Sequence, residues 1–377
     1  MQYDVIVIGA GSMGMATGYF LAKQGKQVLL LDAFDPPHSH ASHHGETRII
    51  RHAYGEGKDY VPLALRAQTL WEELEKESGE SIFLKTGVLN IGERSRPFIS
   101  TLIASAEEYQ LPIDVLSAEQ ANARYEGLNL PPEFIACLES TSGVLRCENA
   151  INAYRQLALA HGAELRTYHR VSDIDVSKEA VTVTANGHEF SAKKLVVSVG
   201  AWSNDMLSML DFSLPISPVR KTFAWYDAPE DIYGEGQFPA FSWDIPEGIF
   251  YGFPSIDGAG LKIGRHDQGE AHEPNTPIVP FSEYEDAADL NQLLTRYMPQ
   301  VGGFHVGKTC MYTRTPDEHF IIDRHPKHNH VLIASGFSGH GFKFASAVGE
   351  VLTEMASDKA PSFDISLFSM QRFQSQG

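Results

Sequence analysis

Three glycines and one aspartate near the start of the chain are spaced to bind a dinucleotide. The glycines are Gly9, Gly11 and Gly14, and Asp32 follows the last of them by 18 residues. The first glycine permits a tight turn, the second lets a pyrophosphate approach the backbone, and the third lets a helix pack closely on a strand. A carboxylate at the position of Asp32 can accept hydrogen bonds from ribose hydroxyls.

The elements around these residues supply the geometry that a dinucleotide needs. Val5–Ile8 and Val28–Leu31 are short, fully apolar runs, typical of strands that are covered on both faces. Between them an amphipathic run that ends at Gly25 predicts a helix, whose N-terminal N–H groups and positive dipole end would face the phosphates. The alternative is an ordinary turn with incidental glycines. Strand, helix, strand and acid in register favour a nucleotide-binding βαβ unit.

Composition and charge limit the classes of partner. The 377 residues carry a net charge of −18 at neutral pH, which argues against nucleic acid or an anionic membrane as a partner. No apolar run reaches membrane-spanning length, and the acidic Asp4 before the first strand argues against a signal peptide. Three cysteines form no disulfide framework and suit a reducing cytosol. We therefore expect a cytoplasmic protein in which an anionic substrate needs local cations.

The polar segment 33–60 combines a histidine cluster with two arginines. Its closely spaced histidines are His38, His40, His43 and His44. They invite a metal interpretation, but metal ligands usually include cysteine or carboxylate, and a proline-rich loop provides no helix to fix ligand pairs. We favour a loop that lies over the cofactor and expect no metal. Arg48 and Arg51 would share a face on a helical turn, although such a pair is most often solvated.

The remaining sequence predicts alternating helices and strands without an internal repeat. Helical periodicity covers 60–78, 98–109, 147–161, 285–297 and 342–358. Short apolar or alternating runs predict strands at 82–84, 88–91, 171–176, 180–184, 188–191, 194–199, 223–226, 249–253, 261–264, 308–312 and 331–334. Near the C-terminus, Gly339 and Gly341 lie between a strand and a helix, where a glycine-rich turn forms a second anion or cofactor cradle.

The longer motifs of the chain resemble those of amine-oxidising flavoproteins, the family that includes monomeric sarcosine oxidase and N-methyltryptophan oxidase. The similarity extends over essentially the whole length and is closest to the sarcosine oxidase branch. The matching strings are Gly9–Gly14, Ser42–Gly57, Tyr251–Pro254, Cys310–Tyr312, Asp317–Asp323 and Gly336–Lys343.

The resemblance implies a cofactor and a set of site residues. The family binds FAD covalently through a cysteine sulfur, and Cys310 stands at the matching position; without the resemblance Cys310 would be one small buried residue among three. Arg51 and Lys343 match the residues that bind the substrate carboxylate, which agrees with the need for local cations in an acidic protein. Positions beside the substrate match Tyr251, His266 and Tyr312. Positions close to the flavin ring match Arg48, His44 and Lys262.

The reaction of the family explains why these residue types are needed. Oxidation of a secondary amine to an imine removes two electrons, which a flavin accepts and a side chain cannot. Reduction of O₂ passes through superoxide, which one close cation stabilises, and Lys262 resembles the lysine with that role. Taken alone, Lys262 would be an exposed strand lysine, His266 a satisfied histidine and Tyr251 a strand-packing residue.

The pattern and the resemblance together imply an α/β fold. A Rossmann-type FAD-binding domain would combine residues 1–84, 145–216 and 317–377. A discontinuous second domain, of the α+β type, would bind the substrate and combine residues 85–144 and 217–316.

The resemblance implies a monomeric FAD-dependent oxidase of sarcosine or another small N-methyl amino acid. With O₂ and water the products would be glycine, formaldehyde and hydrogen peroxide. N-methyltryptophan is the alternative substrate, ranked second because Tyr312 departs from what that branch leads us to expect. From other classes, a flavin-binding redox carrier needs neither the Arg51 and Lys343 pair nor Lys262. A nicotinamide dehydrogenase needs no cysteine tether.

Overall fold

Two large sheets, one small sheet and ten helices build the part of the chain that the computed structural model describes, residues 2–376. The helices are α1 (Ser12–Lys23), α2 (Val61–Ser78), α3 (Pro97–Glu108), α4 (Ala118–Arg124), α5 (Cys147–Ala160), α6 (Ser203–Ser208), α7 (Glu230–Tyr233), α8 (Glu283–Asp286), α9 (Ala288–Tyr297) and α10 (Ala345–Ala356). The strands are β1 (Gln2–Ile8), β2 (Val28–Leu31), β3 (Thr47–Ile50), β4 (Phe83–Leu84), β5 (Val88–Glu93), β6 (Asp114–Ser117), β7 (Phe134–Glu139), β8 (Gly143–Arg146), β9 (Glu164–Arg166), β10 (Val171–Val176), β11 (Val181–Ala185), β12 (His188–Val197), β13 (Ser217–Tyr226), β14 (Ala240–Ile245), β15 (Gly248–Phe253), β16 (Leu261–Arg265), β17 (Glu270–Ala271), β18 (Phe304–Arg314), β19 (Ile321–His325) and β20 (His328–Ser335).

The first βαβ unit forms the centre of an eight-stranded sheet. Strand β1 lies between β12 and β2 and is parallel to both. The sheet runs β10-β11-β12-β1-β2-β9, and β20 pairs with β12 and carries β19. Helix α10 packs on α1 so closely that a Cβ at Gly349 would lie 2.7 Å from that of Ala16. The predicted strand–helix–strand unit is therefore confirmed. The two strands predicted at 188–191 and 194–199 are one continuous strand, β12, because it pairs with β11 and β1 along its length.

The second large sheet has nine strands and carries most of the aromatic residues between positions 217 and 314. Its order is β17-β13-β16-β15-β14-β5-β7-β6, with β18 paired to β13 over nearly its full length. All its pairs are antiparallel except β14 with β5. The sequence predicts the apolar centres of β5, β13, β15, β16 and β18, and pairing extends most of these strands into neighbouring residues. It does not predict β6, β7, β14 and β17.

A small third sheet, β3-β8-β4, corrects the expectation that residues 33–60 form only a loop. Arg48 lies within strand β3, and Ile49 and Ile50 are buried there against β8. A strand of four residues with two apolar side chains is too short for a periodic pattern, and distant pairing creates it. The expectation that Arg48 and Arg51 share a helical face is wrong. Side chains an odd number of residues apart in extended backbone point to opposite sides.

The α/β class is confirmed: the first large sheet is mixed, with four parallel and three antiparallel pairs, and the second is largely antiparallel. The helix predicted at 285–297 consists of α8 and α9, which are separated at Ala287, and the one predicted at 342–358 begins with a 3₁₀ turn. Strand β8 of the small sheet crosses the predicted boundary between residues 144 and 145, and the domain boundaries stay a prediction. Across residues 2–376, no helix combines the length and apolar character needed to cross a bilayer.

Candidate functional site

A cavity of about 370 Å³ lies at the carboxyl ends of β1 and β2; we call it the cofactor cavity. Gly9 has φ of +87°, and a Cβ there would lie 2.5 Å from the carbonyl oxygen of Ser198. A Cβ at Gly14 would lie 1.9 Å from the carbonyl oxygen of Gly9. Nothing lies within 4 Å of a Cβ built at Gly11, which lines the cavity. The first and third glycines thus allow the close turn, and the second leaves backbone open to a pyrophosphate.

Asp32 is buried at the end of β2 and fixes the glycine turn. Its Oδ2 accepts a hydrogen bond of 2.8 Å from the N–H of Ala10, and Oδ1 accepts one of 2.9 Å from the N–H of Phe34. The Nε2 atom of His38 lies 3.3 Å from Oδ1. Oδ2 has one partner and therefore a second lone pair, so Asp32 retains capacity to accept from ribose, and that role stays a prediction.

The histidines of the loop after β2 pack beside this cavity and do not converge on a common point. The His40 ring stacks on Phe34 with ring centroids 4.0 Å apart. His43 is buried, and burial lowers its pKa to about 3. Within the described residues, no three His, Cys, Asp or Glu side chains are grouped to hold a metal ion. The loop covers the cavity wall, since His38, His40 and His43 all line it.

Arg48 organises the backbone of the segment that follows. Its guanidinium donates hydrogen bonds of 2.8 Å to the carbonyl oxygens of Ser42, His44 and Thr47. The side chain also lines the cofactor cavity. His44 is half-buried, with Nδ1 3.9 Å from a carboxylate oxygen of Glu148, and burial lowers its pKa.

Arg51 and Lys343 form a pair of buried cations, 7% and 5% exposed. The Lys343 ammonium donates to the carbonyl oxygen of His340 at 2.8 Å and to the Tyr54 hydroxyl at 3.2 Å. Arg51 donates to Glu56 at 2.6 Å, and both cations lie 5.2 Å from the centre of the Tyr54 ring. Burial lowers the pKa of Lys343 to about 7, and the charge of Arg51 adds to that effect.

Two buried polar atoms of this cluster, Nε of Arg51 and Oε2 of Glu56, find no hydrogen-bond partner among the residues that the structure describes. Unpaired buried donors and acceptors are costly, and they are common where a ligand completes the network. With two cations and one carboxylate, the cluster retains capacity for one further negative group. It can therefore hold a small carboxylate by charge-assisted hydrogen bonds.

Tyr312 lies under the C-terminal glycine turn. A Cβ at Gly339 would lie 2.1 Å from the Tyr312 ring, so only glycine lets the turn approach it. The rings of His266 and Tyr312 are 5.7 Å apart. Lys221, which is buried, lies 5.4 Å from the Tyr312 ring centre and donates to the carbonyl oxygens of His266 and Gln268. Burial lowers the pKa of Lys221 to about 7 and that of His266 to about 3.

Two further glycines give their neighbours room. Tyr251 on β15 pairs with Gly264 on β16, where a Cβ would lie 2.8 Å from the Tyr251 hydroxyl. Burial raises the pKa of Tyr251 to about 12, so the hydroxyl stays protonated. A Cβ at Gly341 would lie 2.4 Å from that of Phe337, and Gly341 lines the cofactor cavity.

All three cysteines are buried and unpaired, and Cys310 differs in its charged surroundings. Cys310 lies on β18 directly opposite Lys221 on β13, so both side chains leave the same face of the sheet. Burial raises the pKa of the Cys310 thiol. Three positive side chains oppose this rise: Arg48, Lys221 and Lys262.

Lys262 is almost completely buried, and no carboxylate of the described residues forms an ion pair with it. Its ammonium donates to the carbonyl oxygens of Gly45 and Thr47 and to the Thr47 hydroxyl, the last at 3.1 Å. Three aromatic rings surround it at 4.7 to 5.2 Å: Phe223, Trp225 and Phe253. Burial lowers its pKa to about 7, and the positive charge of Arg48 contributes.

The structure brings Arg51 and Lys343 together beside Tyr54, and His266 beside Tyr312. It adds four residues that sequence reasoning did not assign. The added residues are Tyr54, Glu56, Lys221 and His340. Tyr54, Glu56 and His340 lie inside the longer motifs, which could have identified them. Lys221 carries no sequence signal, because it is a single lysine in a strand whose burial depends on tertiary packing.

Comparison with known proteins places this geometry in context. A family model described as DAO, FAD dependent oxidoreductase, matches residues 4–355. The chain is 51% identical over 376 residues to monomeric sarcosine oxidase of Bacillus sp. (strain B-0618), covering 98% of this chain and 96% of that protein. It is 43% identical over 377 residues to N-methyl-L-tryptophan oxidase of Escherichia coli (strain K12), covering 99% and 100%. The structure of L-proline dehydrogenase from P. horikoshii has the same fold, with a TM-score of 0.88, 22% identity and coverage of 99% and 98%.

The buried cation pair predicts carboxylate binding that depends on pH. With a pKa of about 7, Lys343 is largely neutral above neutral pH, and a bound carboxylate favours its charged form. Acetate affinity should therefore fall as pH rises above 7, and calorimetry at pH 8 in buffers of different ionisation enthalpy should detect proton uptake.

Lys343→Met tests which group binds the proton. Loss of one buried charged contact should weaken acetate by roughly 2–4 kcal/mol, about 30- to 700-fold in Kd, and abolish the proton uptake. Lys359→Met, at an exposed lysine after α10, is the matched control. Unchanged acetate affinity in variants of both Arg51 and Lys343 would exclude this carboxylate site.

Proposed function

Because the chain belongs to the FAD dependent oxidoreductase family, we propose that it is an oxidase of sarcosine or of a similarly small N-methyl amino acid. Family membership confirms the resemblance drawn from the motifs and makes FAD the cofactor. The proposed products, formed with O₂ and water, are glycine, formaldehyde and hydrogen peroxide. The relative that is 51% identical is named a monomeric sarcosine oxidase, which supports both this substrate and a monomer.

The observation that carries the proposal is the buried pair of Arg51 and Lys343. Each cation is desolvated, and one carboxylate, that of Glu56, faces the two. Keeping two cations out of water costs desolvation free energy. In a protein of net charge −18, we attribute that cost to a function, the binding of an anion. An amino acid substrate offers a carboxylate that completes the cluster. A redox carrier would need no such site.

The residues around Tyr312 are suited to orient the amine once the carboxylate is bound. We assign Tyr251, His266 and Tyr312 to this side of the substrate. His266 is neutral at physiological pH because burial lowers its pKa to about 3, so its ring can accept a hydrogen bond from a secondary ammonium group. The tyrosine hydroxyls stay protonated and can donate to the substrate.

The residues of the cofactor cavity fit FAD. The Gly9–Gly14 turn offers open backbone to the pyrophosphate, and Asp32 is placed to accept from the ribose. Gly339 and Gly341 bring the C-terminal turn against Tyr312 and the cavity wall. Bound FAD supplies the acceptor for the two electrons that leave the amine. We propose that Cys310 is its covalent tether, since three cations face the thiol and favour the thiolate that must react.

We assign Lys262 to the reduction of O₂, with Arg48 and His44 beside it. A cation that lacks a carboxylate partner is available to an oxygen anion, which it stabilises strongly in a low-dielectric site. Arg48 holds the intervening backbone in place through three carbonyl oxygens.

N-methyltryptophan is the second candidate substrate, supported by the relative that is 43% identical. Peroxide release from purified protein should be measured with sarcosine, N-methyltryptophan, proline and glycine. We expect the largest kcat/KM with sarcosine. A larger value with N-methyltryptophan would select the alternative, and no amine-dependent peroxide would overturn the oxidase assignment.

The covalent tether predicts that flavin stays with the protein after acid precipitation. Cys310→Ser should release all the flavin into the supernatant, because the sulfur that forms the bond is missing. Cys137→Ser and Cys147→Ser are the matched controls, since both thiols are also buried and free. If the wild-type flavin is lost on precipitation, Cys310 is not a tether.

Lys262→Met should separate the two half-reactions. The substitution keeps the apolar stem among the three rings and removes only the charge. Anaerobic bleaching by sarcosine should proceed at a similar rate. Recovery of absorbance after mixing with O₂ should be about 10²- to 10³-fold slower, as for loss of a group that stabilises developing charge. Stopped-flow spectroscopy measures both rates, and an unchanged recovery rate would return Lys262 to a structural role and make Arg48 the next candidate.

A further inference from the structure

A second cavity, of about 400 Å³, reaches Lys262 from a different direction; we call it the side cavity. It lies between the segment 44–47, the start of α5 and the turn at 254–260. None of its lining residues lines the cofactor cavity. Lys262 therefore faces a space that is separate from the one that holds the dinucleotide cradle.

The segment from Ala41 to Arg48 forms the wall between the two cavities. Ala41, Ser42, His43 and Arg48 line the cofactor cavity. His44, Glu46 and Thr47 line the side cavity. The carbonyl oxygens that hold the Lys262 ammonium, those of Gly45 and Thr47, belong to this wall. The ammonium is thus fixed at the partition itself.

Ion pairs surround the side cavity, and their charges cancel. Arg146 pairs with Asp257, and Lys308 with Glu46 at 3.1 Å. A third carboxylate, that of Glu148, lies 3.9 Å from His44. Counting Lys262 as charged, three cations and three carboxylates line the cavity. This neutral surround contrasts with the excess positive charge around Arg51 and Lys343, so the side cavity is no trap for an anionic amino acid.

The inner wall of the side cavity is apolar. Trp225 and Phe253, two of the rings around Lys262, form it together with the buried residues Pro254 and Ile256. Its volume is more than ten times the ~30 Å³ that one water molecule occupies in the liquid. A neutral, partly apolar space of this size that ends at a buried cation suits a small uncharged molecule.

We propose that the side cavity is the route by which O₂ reaches Lys262 and hydrogen peroxide leaves, separate from the route of the amine. The inference rests on the proposed oxidase function. In this reaction O₂ accepts the two electrons that came from the amine, together with two protons, and leaves as H₂O₂. Because the amino acid binds at Arg51 and Lys343, O₂ and the amino acid do not block each other's access.

The test is to block the side cavity from two different walls. The two blocking variants are Ala259→Trp, on an exposed turn, and Asn149→Trp, on α5. Both positions line the cavity, and neither is a proposed catalytic residue. Leu159→Trp, at an exposed position near the end of α5, is the matched control for an added surface indole. We expect anaerobic bleaching by sarcosine at the wild-type rate in all three variants. Recovery with O₂ should slow by about tenfold or more in the two blocking variants only.

Xenon provides a readout that does not depend on turnover, because it occupies apolar cavities as a dense stand-in for O₂. Crystals of the wild type under xenon pressure should show density beside Trp225 and Phe253, and the blocking variants should lose it. Absence of wild-type xenon density, or a variant that loses it yet recovers with O₂ at the wild-type rate, would overturn the route. Failure of sarcosine to bleach the wild-type protein would instead refute the proposed function.

Discussion

The constraint on which this structure depends is the burial of positive charge in an acidic protein. Lys221, Lys262 and Lys343 are each at most 5% exposed, and burial lowers the pKa of each to about 7. Backbone carbonyl oxygens and aromatic rings hold all three, because these groups stabilise an ammonium without fully neutralising it. A carboxylate in direct contact would satisfy the charge and leave nothing for a ligand. The fold must therefore supply carbonyl groups at fixed points, and strands and tight turns do so.

The short strand β3 and the residues around it meet this requirement. Residues 42–48 are tied together by the Arg48 guanidinium, and they present carbonyl oxygens to Lys262. Beyond β3, the buried Glu139 accepts hydrogen bonds from the N–H groups of His52 and Ala53, at 2.7 and 2.8 Å. Those two bonds fix the backbone next to Arg51. One stretch of chain thus carries both Arg48 and Arg51, and its pairing with β8 holds the backbone from Thr47 to Ile50 extended.

The sequence predicts the parts of this arrangement that depend on local chemistry. The glycine turn, the two buried strands and Asp32 can be predicted because they depend on residues that are close together in the sequence. The glycines mark positions with special backbone requirements, and the short apolar runs mark the strands. The family motifs then identify Arg51, Lys343 and Cys310 as candidates. The structure is needed for what arises from long-range pairing. Strand β3 exists because residues 143–146 pair with it, and Lys221 matters because β18 places Cys310 opposite it. Glu139 is more than 80 residues along the chain from the N–H groups of His52 and Ala53, which it binds.

The two cation sites differ in how a ligand completes them. Beside Lys343 the protein already supplies one carboxylate, Glu56, whose second oxygen is buried without a partner. A bound carboxylate would share Arg51 with Glu56. The position of that carboxylate is therefore constrained by two side chains that are already charged before it binds. In the described part of the chain, carbonyl oxygens, a hydroxyl and aromatic rings contact the Lys262 ammonium, and the nearest carboxylates act from a distance. Its charge is therefore most strongly stabilised when negative charge forms beside it. A pre-charged site suits the binding of a stable anion, and an incompletely satisfied ammonium suits an anion that exists only during reaction.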